Sequence, residues 1–281
     1  MKTSYAYLQE MCALSPDFNA HSPQIDPVNA RVRYLLHALD ALGVAYQVDA
    51  YDATGRNEQR DDIPHLVNVM VHIPAQTPDL RASLVFLAHH DVSNVRSENC
   101  NDNTASCANL LELTARLHAD PPADRHVYIV FTDAEEIVSF ERAGSRQLAR
   151  RIHEGALGEV AFCVNLELTA FGTAVYMDLA LAQLQQVITT PIAIVNTPFN
   201  DATVLRHWGI STSAVLGTLP FEELKALQAT KRASCPTWAR CHQVSDRVQH
   251  ARAEDMRQFV EVLVRIVRFA SLSEGSVPAG S

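Results

Sequence analysis

The chain has 281 residues, 47% apolar and 20% charged, a composition that excludes a disulfide-stapled miniprotein, a fibrous repeat and wholesale disorder. Lys and Arg number 23 against 32 Asp and Glu, and the net charge of −9 leaves no basic footprint for a nucleic-acid backbone or an anionic membrane. The polar N-terminus lacks a signal-peptide core and no run reaches about 18 apolar residues, so a cytoplasmic protein without a membrane span is expected.

In chain order, the segment 25–42 spaces Val32, Leu35, Leu36, Leu39 and Leu42 at helical intervals, opens near Asp26-Pro27 and stops at Gly43. Apolar or β-branched runs at 44–51, 65–74, 83–88, 126–132, 160–166 and 172–178 predict strands, the first two as an antiparallel hairpin at a sheet edge. Helices are predicted over 104–119, 143–154 and 253–271. This alternation implies an α/β sandwich around a mainly parallel sheet. Polar and Pro-containing stretches at 75–81 and 120–125 read as loops, and no internal repeat is present. A single catalytic domain over 1–272 with a flexible tail at 273–281 is expected.

Six cysteines, Cys12, Cys100, Cys107, Cys163, Cys235 and Cys241, include no CxxC pair and are expected to be reduced thiols. Only Cys235 and Cys241 lie close enough in sequence to suggest a bridge.

Chemistry concentrates where strands end. His89 and Asp91 follow the run 83–88, Glu135 and Glu136 follow 126–132, and Glu167 follows 160–166. In open α/β sheets the site forms at the carboxyl ends of strands, so these distant segments are expected to converge. Asp102 sits at the start of the helix 104–119, and His242 precedes the last helix. His89, Asp102, Glu136, Glu167 and His242 form a mixed imidazole and carboxylate set suited to catalytic zinc and its neighbours. Five donors exceed the need of one tetrahedral ion. With Asp102 shared they divide into His89, Asp102 and Glu167 for one metal, and Asp102, Glu136 and His242 for the other.

The segments AHHD (88–91), NDNTAS (101–106), FTDAEE (131–136), VNLE (164–167), FND (199–201) with WGI (208–210), and CHQVSD (241–246) resemble, in order, the M28 family of co-catalytic zinc peptidases. This aminopeptidase group is related to the glutaminyl cyclases, and the resemblance runs over residues 65–270. It implies a three-layer α/β/α sandwich of the zinc aminopeptidase type with a mixed, mainly parallel central sheet. It also implies two zinc ions bridged by an aspartate and a hydroxide, and removal of the N-terminal residue from peptides or small aminoacyl amides. Carried over by position, His89, Asp102, Glu136, Glu167 and His242 are metal ligands and Glu135 is the general base. Asp91 is the partner that fixes the His89 tautomer.

Three departures accompany the match: Ser106 where the family often has Gly, Glu167 where many members carry Asp, and an apparent local insertion at 137–143 ahead of Gly144-Ser145. None removes a ligand. The stretch from Glu167 to His242 is too short for the separate lid or dimerisation domain of related peptidases.

Other polar residues have plainer readings. His90 is expected on the opposite strand face from His89, and His72, His118, His126, His153, His207 and His250 as surface or satisfied core residues. Trp208 reads as core and Trp238 as either core or pocket wall; Cys241 either lines the pocket or packs as a small apolar residue. A structural zinc on Cys235, Cys241 and His242 lacks a completing ligand. Ser106 and Ser145 sit in no GxSxG elbow. Substrate selectivity is expected from 183–200 and 215–241.

Three functions compete at this level. The first is a dinuclear zinc aminopeptidase-like hydrolase. The second is a single-zinc glutaminyl-cyclase-like acyltransferase, expected to lack part of the second ligand set. The third is a non-catalytic binding module, expected to lack ligands or the base.

Overall fold

The run RASLVFLAH is apolar at successive positions, a pattern that suits a strand covered on both faces. In the computed structural model, which describes residues 1–14, 30–51, 66–77, 81–93, 97–229 and 235–270, this run is β3 (Arg81–His89). It lies between β4 (Arg125–Thr132) and β5 (Val160–Glu167), parallel to both. On the far side of β4, β2 (Leu66–Ile73) runs antiparallel, and β1 (Tyr46–Tyr51) pairs antiparallel with β2 as the edge strand. Beyond β5 lie β8 (Ser213–Leu219), parallel to it, then β6 (Ala174–Met177), antiparallel, then β7 (Ile192–Ile194). The eight-stranded sheet is therefore mixed, with a parallel centre and the antiparallel edge pair expected from 44–51 and 65–74.

Period-2 alternation divides the sheet's side chains between two layers. Phe86, Ile129 and Val164 face a core formed with α1 (Ser4–Cys12), α2 (Ala30–Leu42), α3 (Ala105–Ala119), α5 (Ala182–Val187) and α8 (Ala253–Ala270). Their strand neighbours Val85, Leu87, Val130 and Cys163 face the opposite layer with α4 (Gly144–His153) and α6 (Asp201–His207). Leu224 of α7 (Phe221–Ala229) extends that second layer over β6 and β8.

The strong periodic segments lie where expected. The predicted helix start at 26–27 and the tail at 273–281 lie outside the described residues. The elements not predicted are α1, α5, β7, α6, α7 and the buried strand β8, which pairs with β5 and β6. Helix α1 spans nine residues, with Thr3 Oγ1 accepting from the Ala6 amide at its start and Tyr7, Leu8, Met11 and Cys12 buried on one face. Elements α5, β7 and α6 are each seven residues or fewer, too short for hydrophobic periodicity to define. Among the described residues no helix is long and apolar enough to cross a membrane.

Candidate metal centre

Parallel neighbours end on the same side of a sheet. The register that places His89 opposite Thr132 therefore brings His89 at the end of β3 beside the turn after β4, while Glu167 ends the adjacent β5. His89 Nε2 lies 3.3 Å from Asp102 Oδ1, 3.6 Å from Glu167 Oε2 and 3.8 Å from Glu135 Oε2. On the other side of Asp102, His242 Nε2 lies 3.3 Å from Asp102 Oδ2 and 3.1 Å from Glu136 Oε2. The structure thus brings together all seven residues singled out in the sequence.

Asp91 fixes two parts of the centre. Its Oδ1 lies 3.2 Å from His89 Nδ1, and its two oxygens accept the amides of Glu135 (3.3 Å) and Glu136 (3.1 Å). The first contact is the one the family resemblance implies; the backbone contacts depend on β3 and β4 being neighbours. Backbone torsions are concentrated here too: Ala134, Leu168 and His242 have φ of 63°, 58° and 60°, a left-handed region uncommon outside glycine. Each is, or directly adjoins, one of the convergent residues.

Asp102 is carried by a strap before α3 with extended torsions (φ −113°, ψ 92°). Asn103 Nδ2 donates to the Leu166 carbonyl (2.7 Å), and Asn101 Oδ1 accepts the Ala170 amide (2.9 Å), tying the strap to the end of β5 and the following turn. Glu167 is steadied by Asn165 Nδ2, which donates to its Oε1 (2.9 Å), leaving Oε2 toward His89. Facing Glu167 on β8, Gly217 leaves room for the Tyr176 hydroxyl to donate to the Glu167 carbonyl (3.0 Å); a Cβ at 217 would meet that carbonyl at 2.1 Å.

The electrostatics are those of an acidic site gathered around two imidazoles. Burial would raise the Asp102 carboxyl, but hydrogen bonds from His242 and His89 hold it well below the usual carboxylate range. Burial raises the Glu135, Glu136 and Glu167 carboxyls, that of Glu135 well above the ordinary value. His242 is raised to about 10 by its hydrogen bonds to Asp102 and Glu136. Burial opposes the charged form of His89, yet the surrounding Glu135, Glu167, Asp102 and Asp91 raise it well above the ordinary value.

The residues fit a metal. Donor atoms of His89, Asp102 and Glu167 lie within 4.8 Å of one another, as do those of Asp102, Glu136 and His242, and those of His89, Glu135 and Glu136. Glu136 Oε1 is buried without a hydrogen-bond partner, an arrangement that costs free energy unless something else satisfies the oxygen. Mixed imidazole and carboxylate donors with room for further ligands match a catalytic zinc site.

The donors open onto a cavity of about 340 Å³. Val138, Leu168, Tyr176, Phe199, Val215 and Trp238 give it apolar walls, so Trp238 is a pocket residue, and Cys241 lines it too. The segment 137–143 contributes Val138, while Phe140 stacks on His207 and packs edge-on to Phe199. Trp208 packs on the α4/α6 core and donates from Nε1 to the Phe140 carbonyl (2.9 Å).

Two further buried carboxylates, Asp246 and Asp201, lie in the segments CHQVSD and FND, whose spacing does not reveal their partners. Asp246 accepts amides of the Asp102 strap. Asp201 accepts from the hydroxyls of Ser145 and Thr132, and burial raises its carboxyl to about 6 from an ordinary 3.8. Because its native value exceeds the unfolded one, its contribution to stability is fully present below pH 3.8 and is lost as pH rises through 6. Between pH 4 and pH 8 the metal-free protein is expected to lose about 2 kcal/mol that Asp201→Asn does not lose, read by urea unfolding of both proteins.

Several of the other described histidines have structural partners. His90 Nε2 pairs with the Val67 carbonyl at 2.8 Å, and His153 Nε2 with the Trp208 carbonyl at 2.7 Å. His72 and His126, which show no partner in sequence, meet across β2 and β4 with ring centres 4.6 Å apart. All six cysteines are free, and Cys235 Sγ contacts Glu223 Oε2 (3.0 Å) instead of Cys241.

Among solved structures, the chain is similar to glutaminyl cyclase of Porphyromonas gingivalis, with TM-score 0.71 and 17% identity over 94% of this chain and 96% of that one. It is also similar to a Zn-dependent exopeptidase from Parabacteroides distasonis, with TM-score 0.69 and 14% identity over 94% and 96% of the two chains. A leucine aminopeptidase precursor from Bacteroides thetaiotaomicron gives TM-score 0.67 and 15% identity over 94% and 95%. At these identities the likeness establishes the fold. No curated protein matches the chain by sequence. The sequence model of peptidase family M28 matches residues 68–267, which include every donor of the centre, and the chain belongs to that family.

Proposed function

We propose that the protein is a zinc-dependent aminopeptidase-like hydrolase that cleaves the amide bond next to a free N-terminal amine in peptides or small aminoacyl amides. The observation that carries this reading is the pair of three-donor groups joined through Asp102, with a histidine on either side. His89, Asp102 and Glu167 would hold one ion, and Asp102, Glu136 and His242 a second. Bound there, the ions supply Lewis acidity, polarising the scissile carbonyl and acidifying water.

The chain's own residues account for the remaining tasks. Glu135, 7% exposed and raised by burial, takes a proton from the attacking water and returns it to the leaving amine. Asp91 holds the His89 ring and the Glu135 backbone in register with one another. The acidic cluster accepts the substrate ammonium, and the apolar walls receive its side chain and keep bulk water out.

A second reading, glutaminyl-cyclase-like acyl transfer, is favoured by one feature. Asp102, Glu136 and His242 form a complete donor set for a single ion, and the unpartnered Glu136 Oε1 belongs to that set. Zinc per chain, measured with the products from peptides beginning with Leu or Gln, separates the two. Two ions with release of the free N-terminal amino acid support hydrolysis; one ion with loss of ammonia from the Gln peptide and an intact chain supports cyclisation. Absence of both products overturns both readings.

A further inference from the structure

The loop that delivers His242 also delivers Asp246, four residues later and 3% exposed. Its carboxylate does not face the donors. Oδ1 accepts the Asn101 amide (2.9 Å), and Oδ2 accepts the amides of Asp102 (3.0 Å) and Asn101 (3.1 Å). Two more ties join the same segments: Ser97 Oγ donates to the Asp246 carbonyl (3.1 Å), and the Val248 amide donates to Glu98 Oε2 (2.7 Å). Segments that lie far apart in sequence are therefore latched together immediately behind the bridging carboxylate.

We infer that Asp246 is a positioning residue that couples the two segments of the metal centre: the loop presenting His242 sets, through this carboxylate, the backbone from which Asp102 reaches both histidines. The inference rests on the proposed metal-dependent function. Its chemistry requires a carboxylate. The Asn101 amide lies against both oxygens and the Asp102 amide against Oδ2, so an Asn of the same shape, whichever way its amide is turned, sets an NH₂ donor against the Asn101 N–H. The arrangement parallels that of Asp91, which accepts the Glu135 and Glu136 amides from the opposite side. Each carboxylate holds a backbone segment that carries a donor, and neither is assigned as a donor itself.

The test is zinc affinity by chelator competition, alongside thermal unfolding of the metal-free protein, for wild type and Asp246→Asn. Asp246→Asn is expected to bind zinc about 10- to 100-fold more weakly, the usual scale for residues that orient a ligand. Its metal-free unfolding temperature is expected to stay within a few degrees of wild type. Wild-type zinc affinity in the variant overturns the inference, whatever happens to its stability. If Asp246→Asn does not fold, Asp246→Glu decides: its longer arm keeps both acceptors but displaces the strap, so weaker zinc binding and an altered cobalt(II) absorption spectrum are expected. Wild-type values for both in Asp246→Glu overturn it equally. A wild-type protein that binds no zinc defeats the metal-dependent function and the inference together, whereas wild-type binding with an unaffected Asp246→Asn defeats the inference alone.

Discussion

Glu135→Gln is expected to keep zinc and fold while lowering kcat by about 10²–10⁴-fold, the scale of a positioned general base. The substitution preserves shape and removes only the capacity to take a proton. Glu135 is placed for that task by backbone, since Asp91 Oδ1 accepts its amide, and by burial, which raises its carboxyl well above the ordinary range. It also lies 3.8 Å from His89 Nε2, at the edge of the donor set. Zinc content measured beside steady-state kinetics distinguishes loss of the base from loss of a ligand. Full zinc with unchanged turnover would remove Glu135 from the mechanism.

The second large effect is at Asp102. Its two oxygens face different histidines, Oδ1 toward His89 and Oδ2 toward His242, so no other single residue belongs to both halves of the proposed centre. Asp102→Ala is expected to bring zinc per chain close to zero. His242→Ala, 55% exposed and on one side only, leaves the His89, Asp102 and Glu167 group complete and is expected to lose one ion. Thermal unfolding gives an independent readout. Zinc at a hundredfold excess over its Kd adds about 2.7 kcal/mol per site to the stability of a protein that binds it only when folded. Wild type is expected to show that gain and Asp102→Ala to show none. Equal loss of metal in the two variants would mean that Asp102 does not bridge.

The long periodic elements were legible in the sequence because each carries its own signal. The continuous apolar run of β3 announces a strand buried on both faces, and the helical spacing of α2 and α8 gives their core-facing stripes. Between Glu167 and His242 only β6 was legible, from the run 172–178; β7 has three residues and α6 seven, too short for periodicity to define them. Among candidate site residues, those at strand ends were legible because strand polarity fixes where a parallel sheet places them. Asp246 and Asp201 were not assigned roles, because their partners are backbone amides and hydroxyls from remote segments that leave no spacing to read.

The sequence by itself determined the α/β class, the elements with long periodic signals, the seven convergent residues and the resemblance to zinc peptidases, but not the central strand β8. The class follows from local periodicity; His89, Asp91, Glu135, Glu136 and Glu167 follow from their places after apolar strands, Asp102 and His242 stand before helices, and the resemblance rests on the ordered motifs. Only the tertiary structure decided which face of Asp102 meets which histidine, that Trp238 is a pocket wall, and that Asp91 and Asp246 hold donor-bearing segments through their amides. The reason is physical. Periodicity reports which face of an element is buried, whereas hydrogen bonds between remote loops depend on how the sheet is ordered and on where the connecting turns carry each segment.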